Sequence, residues 1–247
     1  MERVEQLRLL KGLINHLDQN TNINAGGIIK TPADTYISEE RFDREWNTFF
    51  LNHPQIIGLS GDLPKPNSFV TTEDFGVPIL AVRDDTGEFK AYANVCPHRG
   101  VTIESSKKGE KSKFSCPFHG WTFNNEGNLI GYPKKEQFGE IDKDCYGLKE
   151  LPAIEKFGFL WVHPKRDGNI DLDELLGKEL QGEFDAWNFK SLVFANEDLY
   201  FTDMNWKLAI DTFGETYHFS VLHKDSLFES FYGCLLYTSP SPRDMTG

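Results

Sequence analysis

Long apolar runs are missing from this 247-residue chain. The longest, such as Phe157 to Val162, fall far short of the roughly 20 residues a membrane-spanning helix needs. The N-terminal MERVEQLRLLKG mixes charges with apolar residues and lacks the uninterrupted hydrophobic stretch of a signal peptide. No membrane partner and a cytoplasmic location are therefore expected. Basic charge is also scarce: 26 Lys and Arg face 38 Asp and Glu, a formal charge of -12. Nucleic acid is thereby disfavoured as a partner, because phosphate binding needs a basic surface. Cysteine is limited to Cys96, Cys116, Cys145 and Cys234. The first two each lie close to a histidine, which points to metal rather than to cross-links, while Cys145 has no such neighbour and reads as a plain thiol.

What is present changes character along the chain. Val4, Leu7, Leu10, Ile14 and Leu17 recur at helical spacing, so the first twenty residues read as an amphipathic helix. Asn, Gly and Pro break it through about Pro32. A second helix is predicted from Ser38, a good N-cap followed by Glu39 and Glu40, burying Phe42, Trp46, Phe49 and Phe50. Beyond Pro54 short strands take over. PILAVRDDTGEFKAYANV reads as a hairpin turning at Asp85-Thr86-Gly87, WTFNNEGNLIGY as another turning around Glu126-Gly127, and FGFLWV as a short buried strand. Residues 166–190 read as a charged linker with one short helix at LDELLG. Strand character returns in SLVFANEDLYF, and a helix is predicted from about Asn205 to residue 220.

Cys96-Pro-His98-Arg-Gly100 and Cys116-Pro-Phe-His119-Gly120-Trp121 form a C-x-H array and a C-x-x-H array separated by seventeen residues. Pro and Gly let each segment turn sharply and aim two side chains at one point. Two thiolates and two imidazoles suit a zinc ion, and they equally suit a [2Fe–2S] cluster with the thiolates on one iron and the histidines on the other. The pair CPHRG and CPFHGW resembles Rieske proteins over about residues 55–165. The resemblance implies Cys96 and Cys116 as ligands of the inner iron, with His98 and His119 on the outer one. Rieske proteins of respiratory chains carry an extra cysteine in each loop; Val101 and Phe118 stand there instead, and Trp121 replaces a serine that donates to the cluster. Fewer donors to the sulfurs lower the potential, so the site resembles the oxygenase or ferredoxin kind. Between the loops, Lys107, Lys108, Lys111 and Lys113 read either as a solvated hairpin tip or as a docking patch for an acidic electron donor.

Downstream, in NWKLAIDTFGETYHFSVLH, a continuous helix would set Asp211, Glu215 and His218 on one face, at i, i+4 and i+7. His223 would then sit about 140° around, so the helix must end or distort before His223 can join His218 on one metal. The segment is similar to the signature of Rieske non-haem iron oxygenase large (α) subunits. That likeness implies His218 and His223 as two ligands of a facial triad on Fe(II). It implies Glu215 as the catalytic carboxylate that links the iron site to His119 of a neighbouring copy in a homotrimer, with or without small β subunits. The fold class implied is α+β, an all-β Rieske domain followed by the start of a helix-grip (START-like) catalytic domain. The partners implied are an organic substrate, O2 and an NAD(P)H-dependent reductase or ferredoxin. The reaction implied is hydroxylation, dihydroxylation or oxidative demethylation, with aromatic compounds as the leading substrate class. Glu215 stands where many members have Asp, a variation found among oxygenases of quaternary ammonium compounds such as carnitine and choline. A Rieske-type electron carrier without oxygenase activity is the rival from another class.

The organisation expected is a helical arm at 1–52, the Rieske domain at 53–165, the linker at 166–190 and a catalytic segment at 191–233. The remaining ligand of the triad, a carboxylate, is expected far downstream of His223. Residues 234–247 resemble the translation of a transposase-end adapter used in short-read library preparation, so natural sequence is expected to stop near Gly233. So short a catalytic segment cannot cover Phe194, Leu199 and Phe201, and the chain alone is expected not to turn over substrate.

Overall fold

The computed structural model describes residues 3–21, 30–139, 141–215 and 217–228. Residues 234–247, with their resemblance to an adapter, lie outside the described residues. The chain divides into two compact units, one spanning Glu45–Glu197 and the other combining Met1–Arg44 with Asp198–Gly247.

The Glu45–Glu197 unit is built of antiparallel strands. One sheet orders β1 (Gln55–Leu59), β11 (Phe159–Val162) and β10 (Ala153–Lys156). A second orders β5 (Lys108–Glu110), β2 (Ser68–Thr72), β3 (Ile79–Arg83), β4 (Phe89–Ala93) and β9 (Glu150–Leu151). A third orders β6 (Lys113–Ser115), β7 (Thr122–Asn124) and β8 (Leu129–Gly131). The central strand β3 is buried on both faces. Its alternating side chains divide between two cores: Leu80 and Val82 pack with Phe69, Phe114, Phe123 and both loop cysteines, while Ile79 and Ala81 pack with Phe89, Leu160 and Val162.

Both hairpins turn where the sequence places them. At β3–β4 the buried Asp84 carboxylate accepts from Thr86 N, Thr86 Oγ1 and Glu88 N at 2.7 to 2.9 Å, and Gly87 adopts φ +87°. At β7–β8 the turn closes through Gly127 at φ +78°. Here β11 is also the buried strand expected.

The helical arm departs from expectation in burial. Helix α1 (Arg3–Gln19) forms, but none of its residues is buried. Ser38 does cap the second helix, accepting from Arg41 N at 3.2 Å, yet a short turn α2 (Asp34–Ile37) precedes it, and α3 (Glu39–Glu45) winds on into a wider turn at Trp46–Phe50. None of Phe42, Trp46, Phe49 and Phe50 is fully buried, and Phe49 is 53% exposed. A short α4 (Lys135–Phe138) follows the third sheet. The linker holds a longer helix than LDELLG: α5 runs Leu172–Trp187, kinked at Gly177, with Asp171 capping it by accepting from Asp173 N and Glu174 N. Residues 192–202 form no strand; a lone alternating segment has no ladder to join among the described residues, and Tyr200 and Phe201 stay exposed. Helix α6 (Trp206–Phe213) stops at Gly214, and α7 spans only Phe219–Leu222.

Candidate metal centres

The two upstream loops are built alike. In the first, Cys96 N donates to Val101 O at 2.8 Å and Gly100 N returns to Cys96 O at 2.9 Å. In the second, Cys116 N donates to Trp121 O at 2.8 Å and Gly120 N to Cys116 O at 2.9 Å. Gly100 and Gly120 sit at φ +73° and +69°, a left-handed corner open to glycine. Each loop therefore places its cysteine at the root, inside the core, and its histidine at the crest. Cys96 and Cys116 are buried, while the His98 and His119 rings lie 4.8 Å apart, centroid to centroid. The first loop is tied at its base by Asn94, whose Nδ2 donates to Glu104 O at 2.7 Å while its Oδ1 accepts from Glu104 N at 3.0 Å.

Burial dominates the electrostatics of these donors. Burial, and then the neighbouring Cys116 thiol, pushes the Cys96 thiol above its usual range. Burial, then the like charges of His119 and Arg99, lowers His98. His98 Nδ1 is buried with no hydrogen-bond partner, a donor or acceptor left for something else to satisfy. Two buried sulfurs, this nitrogen and an exposed second imidazole make a donor set that fits a two-sulfur, two-nitrogen cluster. Among the described residues no three His, Cys, Asp or Glu side chains converge on a single ion position, so the donors stand as pairs.

The histidines differ in their surroundings. Trp121 stacks parallel on His98 at 4.7 Å, and Tyr132, Phe138 and Tyr146 pack edge-on or tilted around Trp121. His119 is exposed, with the Phe118 ring of its own loop crest tilted against it at 4.0 Å. Of the four lysines between the loops, Lys111 is paired with the buried Glu104, and Lys108 lies over the Phe194 ring.

In the other unit, Asn205 caps α6 by accepting from Lys207 N at 3.1 Å. Because the helix ends at Gly214, Asp211, Glu215 and His218 do not share one helical face, contrary to the spacing argument. Glu215 instead folds back from a turn: one carboxylate oxygen meets His218 Nδ1 and the other accepts from His218 N at 3.3 Å. The interruption before His223 that the spacing requires does occur, and the two rings come to 5.4 Å between centroids. Phe219 packs edge-on against both. Asp211 is held elsewhere, accepting from Tyr36 Oη at 2.6 Å. Neither Asn94 nor Tyr36 belongs to any motif, and no signal in the sequence marks them.

Residues 53–153 match the Rieske [2Fe-2S] domain, and residues 182–246 match the catalytic domain of the ring hydroxylating alpha subunit. The first of these defines the class, a Rieske iron–sulfur protein. The second follows it in the same chain, and the relatives of the chain are Rieske oxygenase large subunits. The chain is 29% identical over 205 residues to the toluate 1,2-dioxygenase subunit alpha of Pseudomonas putida, covering 80% of this chain and 45% of that protein. It is 28% identical to the carnitine monooxygenase oxygenase subunit of Acinetobacter baumannii, covering 78% of this chain and 52% of that protein. Among solved structures, a quaternary ammonium Rieske monooxygenase in complex with L-carnitine superposes with a TM-score of 0.72 at 25% identity, covering 81% of this chain and 57% of the other. The chain thus spans about half the length of the curated relatives it matches. The cofactors of these two domains are a [2Fe–2S] cluster and mononuclear Fe(II), and the expected fold class, a strand-rich domain followed by a mixed α/β domain, is that of the matched Rieske oxygenases, although the described residues of the second domain contain helices and turns but no strand. No described helix is long and apolar enough to cross a membrane.

Proposed function

We propose that this chain is the electron-receiving and iron-binding portion of a terminal oxygenase that oxidises an organic substrate with O2. When bound, the cluster and the mononuclear iron supply one-electron transfer and dioxygen reduction. The buried Cys96 and Cys116 would hold one iron of the cluster through sulfur, and His98 and His119 would hold the other through ring nitrogens. His98 Nδ1 thereby gains the partner it otherwise lacks. Trp121 fixes the plane of the His98 ring by stacking on it.

His218 and His223 are assigned to mononuclear Fe(II). Glu215 holds His218 Nδ1, which fixes the tautomer and leaves Nε2 to face a metal. The same carboxylate is assigned to join His119 of the partner subunit in a head-to-tail homotrimer, with electrons arriving from an NAD(P)H-dependent reductase or ferredoxin. A cytoplasmic setting and the domain limits 1–52, 53–165, 166–190 and 191–233 belong to the same reading. Both aromatic dioxygenases and quaternary ammonium monooxygenases stand among the relatives, so two substrate classes are retained: aromatic compounds, and carnitine-like or choline-like cations.

The observation that carries the proposal is the paired loop geometry, two buried thiols beneath two adjacent imidazoles. Anaerobic reconstitution with iron and sulfide is expected to give a coloured protein with two irons and two acid-labile sulfides per cluster and an EPR signal on reduction. Alanine at both His98 and His119 is expected to abolish it. Reconstituted protein without labile sulfide, or a double variant that keeps its colour, would refute the assignment.

A further inference from the structure

We propose that Tyr36 is a positioning residue for the mononuclear iron site: the N-terminal arm, through this one side chain and its own carbonyl, sets the pose of the helix that delivers His218. The inference rests on the assignment of His218 and His223 as iron ligands. Its basis is a pair of contacts at opposite ends of α6. Asn205, the N-cap, donates from Nδ2 to Tyr36 O at 3.1 Å, while its Oδ1 accepts from Lys207 N. The Tyr36 hydroxyl reaches Asp211, in the last turn, and donates to Oδ2 at 2.6 Å. One residue of the arm is therefore bonded to both the first and the last turn of an eight-residue helix.

So short a helix has little stability of its own, because nucleation fixes several residues for each hydrogen bond gained. Its pose comes from what it is fastened to. Beyond Asp211 the chain has only Thr212, Phe213 and the helix-ending Gly214 before Glu215. An error in the direction of α6 is passed directly to the carboxylate that orients His218. The bond is also strong for its kind, short and made to an anionic acceptor. It further engages one oxygen of Asp211, the carboxylate nearest in sequence to Glu215, in a contact within the protein.

The test is anaerobic calorimetric titration of the cluster-loaded chain with Fe(II), with a His218→Ala/His223→Ala variant as the blank. Tyr36→Phe keeps the ring and deletes the hydroxyl; it is expected to weaken histidine-dependent Fe(II) binding about 10-fold. Asp211→Ala should match it, and the double variant should be no weaker than either single one. Asp211→Asn retains a carbonyl that accepts from the tyrosine, so it is expected to restore most of the affinity. A merely structural role would give no such rescue. Equal Fe(II) affinity in wild type and Tyr36→Phe overturns the positioning role while leaving the iron site standing. Absence of histidine-dependent binding in the wild type overturns the iron assignment, and this inference with it.

Discussion

Asn94 lies two residues before Cys96 and binds Glu104, so its side chain closes the neck of the first cluster loop as a strand partner would. Replacing it with alanine removes two hydrogen bonds and leaves Glu104 N and O without partners in a buried place. Each bond is worth about 1 kcal/mol net when made, but each orphaned buried group costs about 1–3 kcal/mol, so the whole change is expected to cost about 2–6 kcal/mol. Asn94→Asp does not rescue it, because a carboxylate meets Glu104 O with no proton to share and adds a buried charge. The assay is urea unfolding of the reconstituted protein, read by far-UV circular dichroism and by cluster absorbance. A drop in midpoint at unchanged slope is expected, with cluster loss ahead of unfolding, since the neck opens before the sheets part. If Asn94→Ala unfolds within about 0.5 kcal/mol of wild type, the range of an ordinary surface change, and keeps its cluster equally long, the neck argument is wrong.

Acid should act on the same neighbourhood. Burial opposes ionisation of Glu104, but Lys111 and Ser106 outweigh it and hold the carboxyl below its ordinary value of 4.5. A depressed carboxylate contributes stability that is complete above the unfolded value and is lost as pH falls through the folded one. Acid unfolding followed by fluorescence should therefore steepen below about pH 4.5, and Lys111→Met should move its midpoint to higher pH; an unmoved midpoint counts against the pair. Gly127 and Gly87 make a matched test, since both hold positive φ, +78° and +87°. A Cβ at Gly127 would lie 2.6 Å from Cε1 of the buried Tyr92, whereas at Gly87 nothing lies within 4 Å. Gly87→Ala is expected to cost about 1–2 kcal/mol in thermal unfolding from backbone strain alone, and Gly127→Ala about 1–3 kcal/mol more; equal losses would show that the ring gives way freely.

The loops were legible because their chemistry is local. Proline, glycine and the ligand spacing fix each turn within six residues, and the hairpins on either side announce themselves by alternation and by Asp-Thr-Gly and Glu-Gly turns. Elements that depend on distant partners were less legible. Residues 191–201 alternate like a strand, but a strand exists only where another supplies its hydrogen bonds, and none among the described residues does. The length of α5 was hidden by Gly177, which breaks the pattern while the chain resumes helix beyond it. The end of α6 is marked in the sequence by Gly214, which ligand spacing alone does not register. Asn94 and Tyr36 could not be found this way, since a contact from Tyr36 to Asp211 crosses most of the chain.

Two loops with the same hydrogen-bond pattern would give two equivalent histidines, and they do not, because what packs on them differs. His98 lies under Trp121, itself walled in by Tyr132, Phe138 and Tyr146, and its Nδ1 is sealed from solvent. His119 stands exposed with Phe118, which is 60% exposed, against its face. An electron passed to another protein leaves where that protein can reach, so under the proposed assignment the exposed imidazole is the one suited to meet a partner's carboxylate. The aromatic wall leaves His98 the fixed member of the pair. The asymmetry is thus made by Trp121 and its neighbours rather than by the ligands, and it depends on residues 132–146, a stretch that the ligand motif does not contain.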